Sequence, residues 1–221
     1  MPITTRPSVS LRTDSDAIAF LSRLELGDII LYEKTGISFA SPIVRYQRIF
    51  PENSASACTF VHAAIFVGNG AVIDAQSALS MSTGTSGVRL VTFQISQACT
   101  VCALRLFSAS TTERAQLVSE AHGQIGVPYD SIAVGALAWA YVKNRFSIFG
   151  KPLGLSLPWP PTRHQRYVND QPEYKRLICS RLVDVVYLKV FGINNTPIAM
   201  GLSPVITPAD IYMSEALDTV T

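Results

Sequence analysis

The stretch CTFVHAAIFVGNGAVIDAQ, residues 58–76, contains two runs rich in apolar and β-branched residues joined by the loop Gly68–Gly70. Two such runs separated by a short loop with an Asn-Gly pair are typical of an antiparallel β-hairpin. The first run contains His62 and the second contains Asp74. A histidine and an acid on neighbouring strands can be core residues or can serve a nucleophile, so the role of this pair depends on a nucleophile elsewhere in the chain.

The length of the hairpin loop decides whether His62 and Asp74 face the same way, because side chains alternate between the two sides of a strand. A two-residue loop would point them to opposite sides. A three-residue loop, Gly68–Gly70, sets His62 opposite Gln76 and makes Asp74 its diagonal neighbour, about 7 to 8 Å away between backbones. Glycine at both ends readily adopts positive φ. We therefore predict the three-residue loop, with Asp74, or failing it Gln76, contacting one imidazole nitrogen of His62.

The composition is that of a single domain spanning residues 1–221. It is 48% hydrophobic and 15% charged, which is enough apolar material for one well-filled core. The net charge of +2, with no run of like charges, gives no basis for nucleic-acid binding. The N-terminal segment MPITTRPSVSLRTDSDAIAF lacks the features of a secretory signal. We therefore expect synthesis in the cytoplasm and, if the protein is exported, another route.

Hydrophobic periodicity predicts strands and helices along the whole chain. Strands are expected at 26–33, 88–93 and 100–107, and helices at 14–24, 41–49, 108–126 and 174–192. The run SIAVGALAWAYV at 131–142 is too short for a membrane span, which needs roughly 20 residues, so we expect a buried helix or a lid that touches lipid. Residues 143–173 are rich in proline and glycine and predict a long surface loop.

The four cysteines differ in context. Cys99 and Cys102 lie in a predicted strand, where positions i and i+3 point to opposite faces, which suits neither a redox pair nor half of a zinc site. We interpret these two, and Cys58, as small buried hydrophobic residues. Cys179 instead stands at the start of an apolar helix beside basic residues, and both the helix dipole and positive charge favour a thiolate. Cys179 is therefore the candidate nucleophile, with a structural role as the alternative.

Nucleophilic cysteine chemistry needs a base for the thiol proton and a third group that orients the imidazole. His62 and Asp74 are the candidates for these two roles. The other histidines compete poorly, because His122 lies near the end of a helix, where it suits the dipole, and His164 lies between arginines in the proline-rich loop. Neither is expected to have an acid on a neighbouring paired strand.

The blocks LELGDIILY, VHAAIFVGNGAVIDA, GVPYD, ICSRLV and PVITPADIY, in this order, resemble the circularly permuted branch of the NlpC-type cysteine peptidases, which includes the YiiX-like proteins. The blocks are short and leave most of the chain unmatched. Carried over by position, Cys179 resembles the nucleophile, His62 the general base and Asp74 the orienting residue. Two positions depart from the family pattern: Arg181 stands where an acid is usual, and Asp74 where glutamate or histidine is frequent.

The resemblance implies an α+β, papain-like, circularly permuted fold, with an antiparallel sheet or partial barrel packed against helices. The nucleophile would stand at the N-terminus of a late helix, and residues 131–173 would be an insertion that forms one wall of the cleft. Residues expected to contact substrate are Tyr129, Gln76, Trp159 and Ser180. No metal and no cofactor are expected.

The activity implied by the resemblance is hydrolysis of an amide through an acyl-enzyme, most simply in the D,L-linked stem peptide of bacterial cell wall. Such a protein could be an antibacterial effector delivered to the periplasm of a target cell by a secretion apparatus, with a cognate immunity protein in the producer. Two alternatives remain open. The same residues serve acyl transfer or acyl hydrolysis on lipids or thioesters in relatives resembling lecithin:retinol acyltransferase, and a non-catalytic binding module would keep the fold without turnover.

Overall fold

The computed structural model describes residues 5–33, 41–50, 53–77, 86–93, 99–135, 137–138, 176–198 and 205–221. The strands are β1 Val9–Leu11, β2 Ile29–Glu33, β3 Phe60–Gly68, β4 Ala71–Gln76, β5 Gly87–Thr92, β6 Cys99–Arg105 and β7 Asp218–Thr219. The helices are α1 Asp14–Leu21, α2 Ser41–Gln47, α3 Thr111–Gly123, α4 Cys179–Phe191 and α5 Pro208–Tyr212, with a 3-10 turn at Ala57–Thr59. The predicted α+β class is confirmed, whereas the papain-like and permuted character stays a prediction.

The strands that the structure describes form one antiparallel sheet with the order β1-β6-β2-β3-β4-β5, and β7 pairs with β6 on the same side as β1. The central strands β2 and β3 are apolar because helices or other packing cover both faces. One face packs on α3 and α4, where Leu182, Val183 and Val186 meet Ala63 and Ile65. The other face packs on α1. His62 belongs to that second face by alternation along β3.

The hairpin between β3 and β4 has a different loop from the one predicted. The structure pairs Gly68 with Ala71, not Val67 with Ala71, so the turn is the two-residue loop of Asn69 and Gly70. Both loop residues have positive φ, as a tight hairpin turn of this kind requires. Val67 is then an extra residue that bulges out of the ladder.

The bulge restores the register that the three-residue loop was expected to produce. Beyond it, Phe66 pairs with Val72 and Ala64 pairs with Asp74. Ala64 and Asp74 therefore lie on the same face, and His62, two residues along β3, shares it. The predicted loop was wrong, but the predicted facing of His62 and Asp74 is confirmed because one bulged residue flips the side-chain alternation just as one extra loop residue would.

The late helix also begins later than the periodicity of 174–192 suggested. α4 begins at Cys179, and Ile178 before it is extended. The backbone of Leu177 cannot continue the helix because it is held in a parallel bridge with Tyr129. This pairing places Cys179 at the first helical position, as the candidate nucleophile requires.

The other sequence predictions fall partly inside and partly outside the described ranges. The capping box of Ser110 and Glu113 is present at the start of α3. Cys99 and Cys102 lie on β6 and pack on opposite faces of the sheet, as predicted. Of the predicted 131–142 helix, residues 131–135 and 137–138 are helical. Within the described ranges, no helix has both the length and the apolar character needed to cross a membrane.

Candidate active site

His62 and Asp74 meet on the face of the sheet that the hairpin register gives them. Nε2 of His62 lies 3.2 Å from Oδ2 of Asp74. The side chain of His62 is 22% exposed and that of Asp74 is 4% exposed, so the histidine keeps access to solvent while the acid is buried behind it. The contact expected between the imidazole and Asp74 is present.

Cys179 approaches His62 through a gap in the sheet. The recorded pairing of β3 with β4 ends at Ala64 and Asp74, and β4 continues alone with β5. Phe66 donates its N–H toward β2, so alternation turns the N–H of Ala63 toward the β4 side, where the ladder has ended. That N–H instead faces the sulfur of Cys179 closely enough to favour the thiolate. Cys179 begins α4, which packs on one face of the sheet, and His62 points to the other face. The gap beside Ala63 allows the sulfur of Cys179 to reach the imidazole of His62.

The thiol of Cys179 has its pKa lowered from the ordinary value of 9.0. Burial opposes ionisation of this thiol, which is 3% exposed, but the positive charge of His62 and a hydrogen bond with its side chain outweigh burial. The backbone N–H groups of Ala63 and Ser180 add two further donors. The cation that favours the thiolate most is therefore His62, not the basic residues next to Cys179 in sequence.

The imidazole of His62 responds in the opposite direction. Burial alone would lower its pKa, but the charge of Cys179, hydrogen bonds with Asp74 and Cys179, and the charge of Asp74 raise the pKa of His62 to about 10. Because Nε2 is engaged by Asp74, Nδ1 is the nitrogen left for the thiol. The two groups titrate as a pair, and both shifts favour a thiolate beside an imidazolium.

Two residues near the imidazole were missed by the sequence reasoning. Arg89, directly opposite Asp74 on β5, places Nε 3.3 Å from Oδ1 of that carboxylate. Tyr32, directly opposite His62 on β2, packs its ring against the imidazole with centroids 5.4 Å apart. The alternation of GVRLVT could have flagged Arg89 as a sheet residue, but which strand pairs with β4 is a tertiary fact.

Tyr129 is held near Cys179 by a short backbone pairing. The N–H of Leu177 donates to the carbonyl of Pro128 at 2.9 Å, and the N–H of Asp130 donates to the carbonyl of Leu177 at 3.1 Å. Burial and then the charge of Cys179 raise the pKa of the Tyr129 phenol above its usual range. Tyr129 is therefore neutral, and it lies close enough to Cys179 to respond to the charge of the thiolate.

Gln76, Ser180 and Trp159 are the other residues expected to contact substrate. Gln76 donates Nε2 to Oδ2 of Asp74 at 2.5 Å, so it supports the acid. The side chain of Ser180 is fully buried and its hydroxyl donates to the carbonyl of Ile206 at 2.8 Å. Ser180 as a substrate-binding residue stays a prediction, and its hydroxyl is directed into the core. Trp159 lies outside the described residues.

The arrangement supplies the groups that nucleophilic catalysis requires. The thiol of Cys179 lies at the N-terminus of α4 beside the imidazole of His62, with the carboxylate of Asp74 behind the imidazole. The pKa shifts of all three groups favour their ionised forms. Ile178, the residue before α4, makes no side-chain cap, so the first N–H groups of the helix have no side-chain acceptor from that residue. In the ranges that the structure covers, no three histidine, cysteine or acidic side chains gather as a metal site would require.

Comparison with known proteins adds a weak structural likeness. No family model matches the chain, and no curated protein matches it. Among solved structures, the chain resembles the crystal structure of the metalloprotein YiiX from Escherichia coli O157:H7. The two share 15% identity over 90% of this chain and 97% of that one, with a TM-score of 0.39. The chain therefore has a weak structural neighbour, and the chemistry of its site is argued from its own residues.

Proposed function

We propose that the protein is a cysteine hydrolase in which Cys179 is the nucleophile, His62 the general acid and base, and Asp74 the residue that orients His62. One observation carries the proposal. The imidazole of His62 lies between the thiol of Cys179 and the carboxylate of Asp74, and the pKa values of thiol and imidazole move toward the ionised pair. Strongly perturbed pKa values with a specific charge partner are a physical mark of functional sites.

The reaction divides into acylation and deacylation. The thiolate of Cys179 attacks the substrate carbonyl carbon and forms a carbon–sulfur bond, while backbone N–H groups at the start of α4 stabilise the oxyanion. The imidazolium of His62 gives its proton to the leaving amine as the carbon–nitrogen bond breaks. Neutral His62 then takes a proton from water, whose oxygen attacks the thioester and releases the acid and the thiolate.

The substrate proposed first is the stem peptide of bacterial cell wall, cut between a D- and an L-configured centre. The resemblance of the sequence blocks to NlpC-type peptidases supports this class of amide. Cell wall lies outside the cytoplasm, so this substrate implies action in the periplasm of a target cell, delivery by a secretion apparatus and a cognate immunity protein in the producer. Tyr129, whose phenol feels the charge of Cys179, would contact the peptide.

A second candidate is an acyl hydrolase or acyltransferase acting on lipids or thioesters with the same three residues. The observation that favours it is an apolar side chain close in sequence to the site. Ile132, in the helical residues that follow Tyr129, is 71% exposed. A large apolar side chain in that position suits an acyl chain better than a polar peptide.

Parallel assays of purified protein separate these candidates. Mass spectrometry after incubation with cell-wall sacculi should show new peptide termini, and the same protein should be tested on a short-chain thioester and on a phospholipid. The Cys179→Ala protein is the inactive control, and Cys102→Ala is the control for loss of a buried thiol. If no new peptide termini appear and the thioester is turned over, the acyl hydrolase is selected. If none of the three substrates shows turnover that depends on Cys179, a binding module is favoured.

The place of action is tested by expression in a Gram-negative host with and without an added periplasmic signal. Wall cleavage predicts growth inhibition only with the signal, because the substrate is in the periplasm. The Cys179→Ala protein with the same signal should be harmless. Equal toxicity in both compartments would contradict the cell-wall substrate and point to an intracellular or lipid target.

A further inference from the structure

Asp74 is the meeting point of three neighbouring strands. Its carboxylate receives His62 from β3, Gln76 from its own strand β4 and Arg89 from β5. Arg89 is the direct cross-strand partner of Asp74, so the two side chains are immediate neighbours on one face of the sheet. The side chain of Asp74 is 4% exposed and that of Arg89 is 25% exposed, so the pair lies at the border between the interior and solvent.

The three contacts divide between the two carboxylate oxygens. Oδ2 receives Nε2 of His62 at 3.2 Å and Nε2 of Gln76 at 2.5 Å. Oδ1 receives Nε of Arg89 at 3.3 Å. A carboxylate with one oxygen held by a cation on the next strand cannot turn away from the imidazole without breaking a charge-assisted hydrogen bond.

The charged and titratable groups around Asp74 come from each strand and helix packed near it. His62 and Arg89 contact it directly, and Cys179 on α4 lies on the far side of His62. Tyr32 on β2 lies near enough for the charge of Asp74, after burial, to raise the pKa of its phenol. Among these groups Arg89 alone is a permanent cation.

We propose that Arg89 is a positioning residue, which holds Asp74 ionised and aimed at His62 and thereby sustains the thiolate of Cys179. This inference rests on the proposed cysteine hydrolase. Without Arg89, Asp74 would lose a hydrogen bond and a neutralising charge, would bind a proton at higher pH and would be free to rotate. Each of these changes weakens the support for the imidazolium and therefore for the thiolate.

If Arg89 only neutralised the buried carboxylate of Asp74, its removal would change the pKa of His62 in the opposite direction. If Asp74 stayed in place after Arg89 was removed, the imidazolium would lose a repulsive neighbour and keep its attractive one. The pKa of His62 would then rise. The direction of the change in the His62 pKa therefore distinguishes positioning from simple neutralisation.

The test compares the wild-type chain with Arg89→Gln and Arg89→Lys. The rate of alkylation of Cys179 by iodoacetamide is followed against pH by peptide mass spectrometry, and the His62 ring is titrated by NMR, with its signal assigned by loss in His62→Gln. In Arg89→Gln we expect the thiolate midpoint to rise by about one pH unit and the His62 pKa to fall. Arg89→Lys keeps the charge and should shift both in the same directions by less.

The matched control is Arg114→Gln, which removes another largely buried arginine from an ion-pair network. Arg114, on α3, contacts Glu25 and Asp28, which precede β2. His62 pairs with the opposite end of β2. Its loss should lower the free energy of unfolding and leave the midpoint of Cys179 alkylation unchanged. Turnover of the substrate found for the wild type should fall about tenfold in kcat in Arg89→Gln, with KM little changed, and stay near wild type in Arg114→Gln.

The outcomes separate the two proposals. A rise in the His62 pKa, or unchanged midpoints in both Arg89 variants, overturns the positioning role and leaves the hydrolase proposal standing. If the Arg89 variants show the expected shifts but the wild-type protein turns over no substrate, the role of Arg89 in the ion pair is supported and the hydrolase proposal is rejected. If Arg89→Gln does not fold, Arg89→Lys alone decides. A rise in the thiolate midpoint with a fall in the His62 pKa supports the inference, and no shift overturns it.

Discussion

Cys102 and Cys179 are both buried, with 1% and 3% of their surfaces exposed, yet their thiols behave in opposite ways. Burial raises the pKa of Cys102 to about 12, with only a partial offset from Arg6. Burial opposes ionisation of Cys179 too, but there the pKa falls below 9.0. Cys102 lies in the middle of β6, where neighbouring strands use the backbone donors, whereas Cys179 lies at a helix start beside a gap in the sheet.

The difference shows that burial does not by itself make a cysteine inert or reactive. What matters is whether hydrogen-bond donors and a cation can reach the sulfur. Cys179 obtains them from the imidazole of His62 and the N–H groups of Ala63 and Ser180. In a regular sheet the N–H of Ala63 would pair with the next strand, so the end of the β3–β4 ladder is what releases it.

The largest expected effect is on activity. Cys179→Ala should lower turnover by roughly 10⁴-fold or more, because no other described group can take the place of the nucleophile. Cys102→Ala should keep turnover within about twofold, since that thiol lies in the core of the sheet. Product formation on the substrate that the wild type cleaves measures both, with circular dichroism to show that each variant is folded. An active Cys179→Ala protein would remove the basis of the comparison.

Asp74→Asn should raise the pKa of the Cys179 thiol toward that of Cys102. The amide oxygen can still accept from His62, but the negative charge that helps to raise the pKa of His62 is lost. We expect the His62 pKa to fall from about 10, and kcat to fall by about 10²-fold. NMR titration of His62 and steady-state kinetics give the two values. An unchanged pKa would mean that Cys179 alone sustains the imidazolium.

The pH dependence sharpens the contrast between the two thiols. The pKa of Cys179 is lowered, so its thiolate persists below pH 9.0 and disappears only as the pH falls through that lowered value. The pKa of His62 is about 10, so the imidazolium that protonates the leaving group is lost as the pH rises through that value. Turnover should therefore form a plateau between these limits and fall about tenfold per pH unit outside them. Alkylation mapped by mass spectrometry should modify Cys179 on this plateau and spare Cys102 in the folded protein.

The smallest effect concerns stability. Cys102 packs in the same apolar cluster as Leu104 and Ala63. Cys102→Ala therefore leaves a small cavity and should lower the free energy of unfolding by about 1 kcal/mol. Cys99, which is only half buried, should cost less when replaced by alanine. Urea denaturation measures both. A loss of activity without a loss of stability in either variant would contradict the interpretation of these thiols as packing residues.

Much of the local structure was predictable because it depends on neighbours in sequence. The hairpin over 58–76, the strand with Cys99 and Cys102 on opposite faces and the capping box of Ser110 follow from alternation, apolar runs and cap chemistry. The choice of Cys179, His62 and Asp74 as candidates also came from sequence, since a cysteine before an apolar helix and a histidine and acid in a hairpin are local patterns.

What the sequence alone determined about this protein is therefore the identity of its elements and of the residues able to do cysteine chemistry. Only the tertiary structure decided how they meet. Val67 bulges to set the register, Leu177 pairs with Tyr129 to start α4 at Cys179, and β5 brings Arg89 to Asp74. The physical reason is that the contacts of Leu177 with Tyr129 and of Arg89 with Asp74 join separate segments of the chain, and that the register around Val67 depends on how the hairpin sits in the whole sheet. Which backbone groups remain free for the sulfur depends on where the strand ladders end.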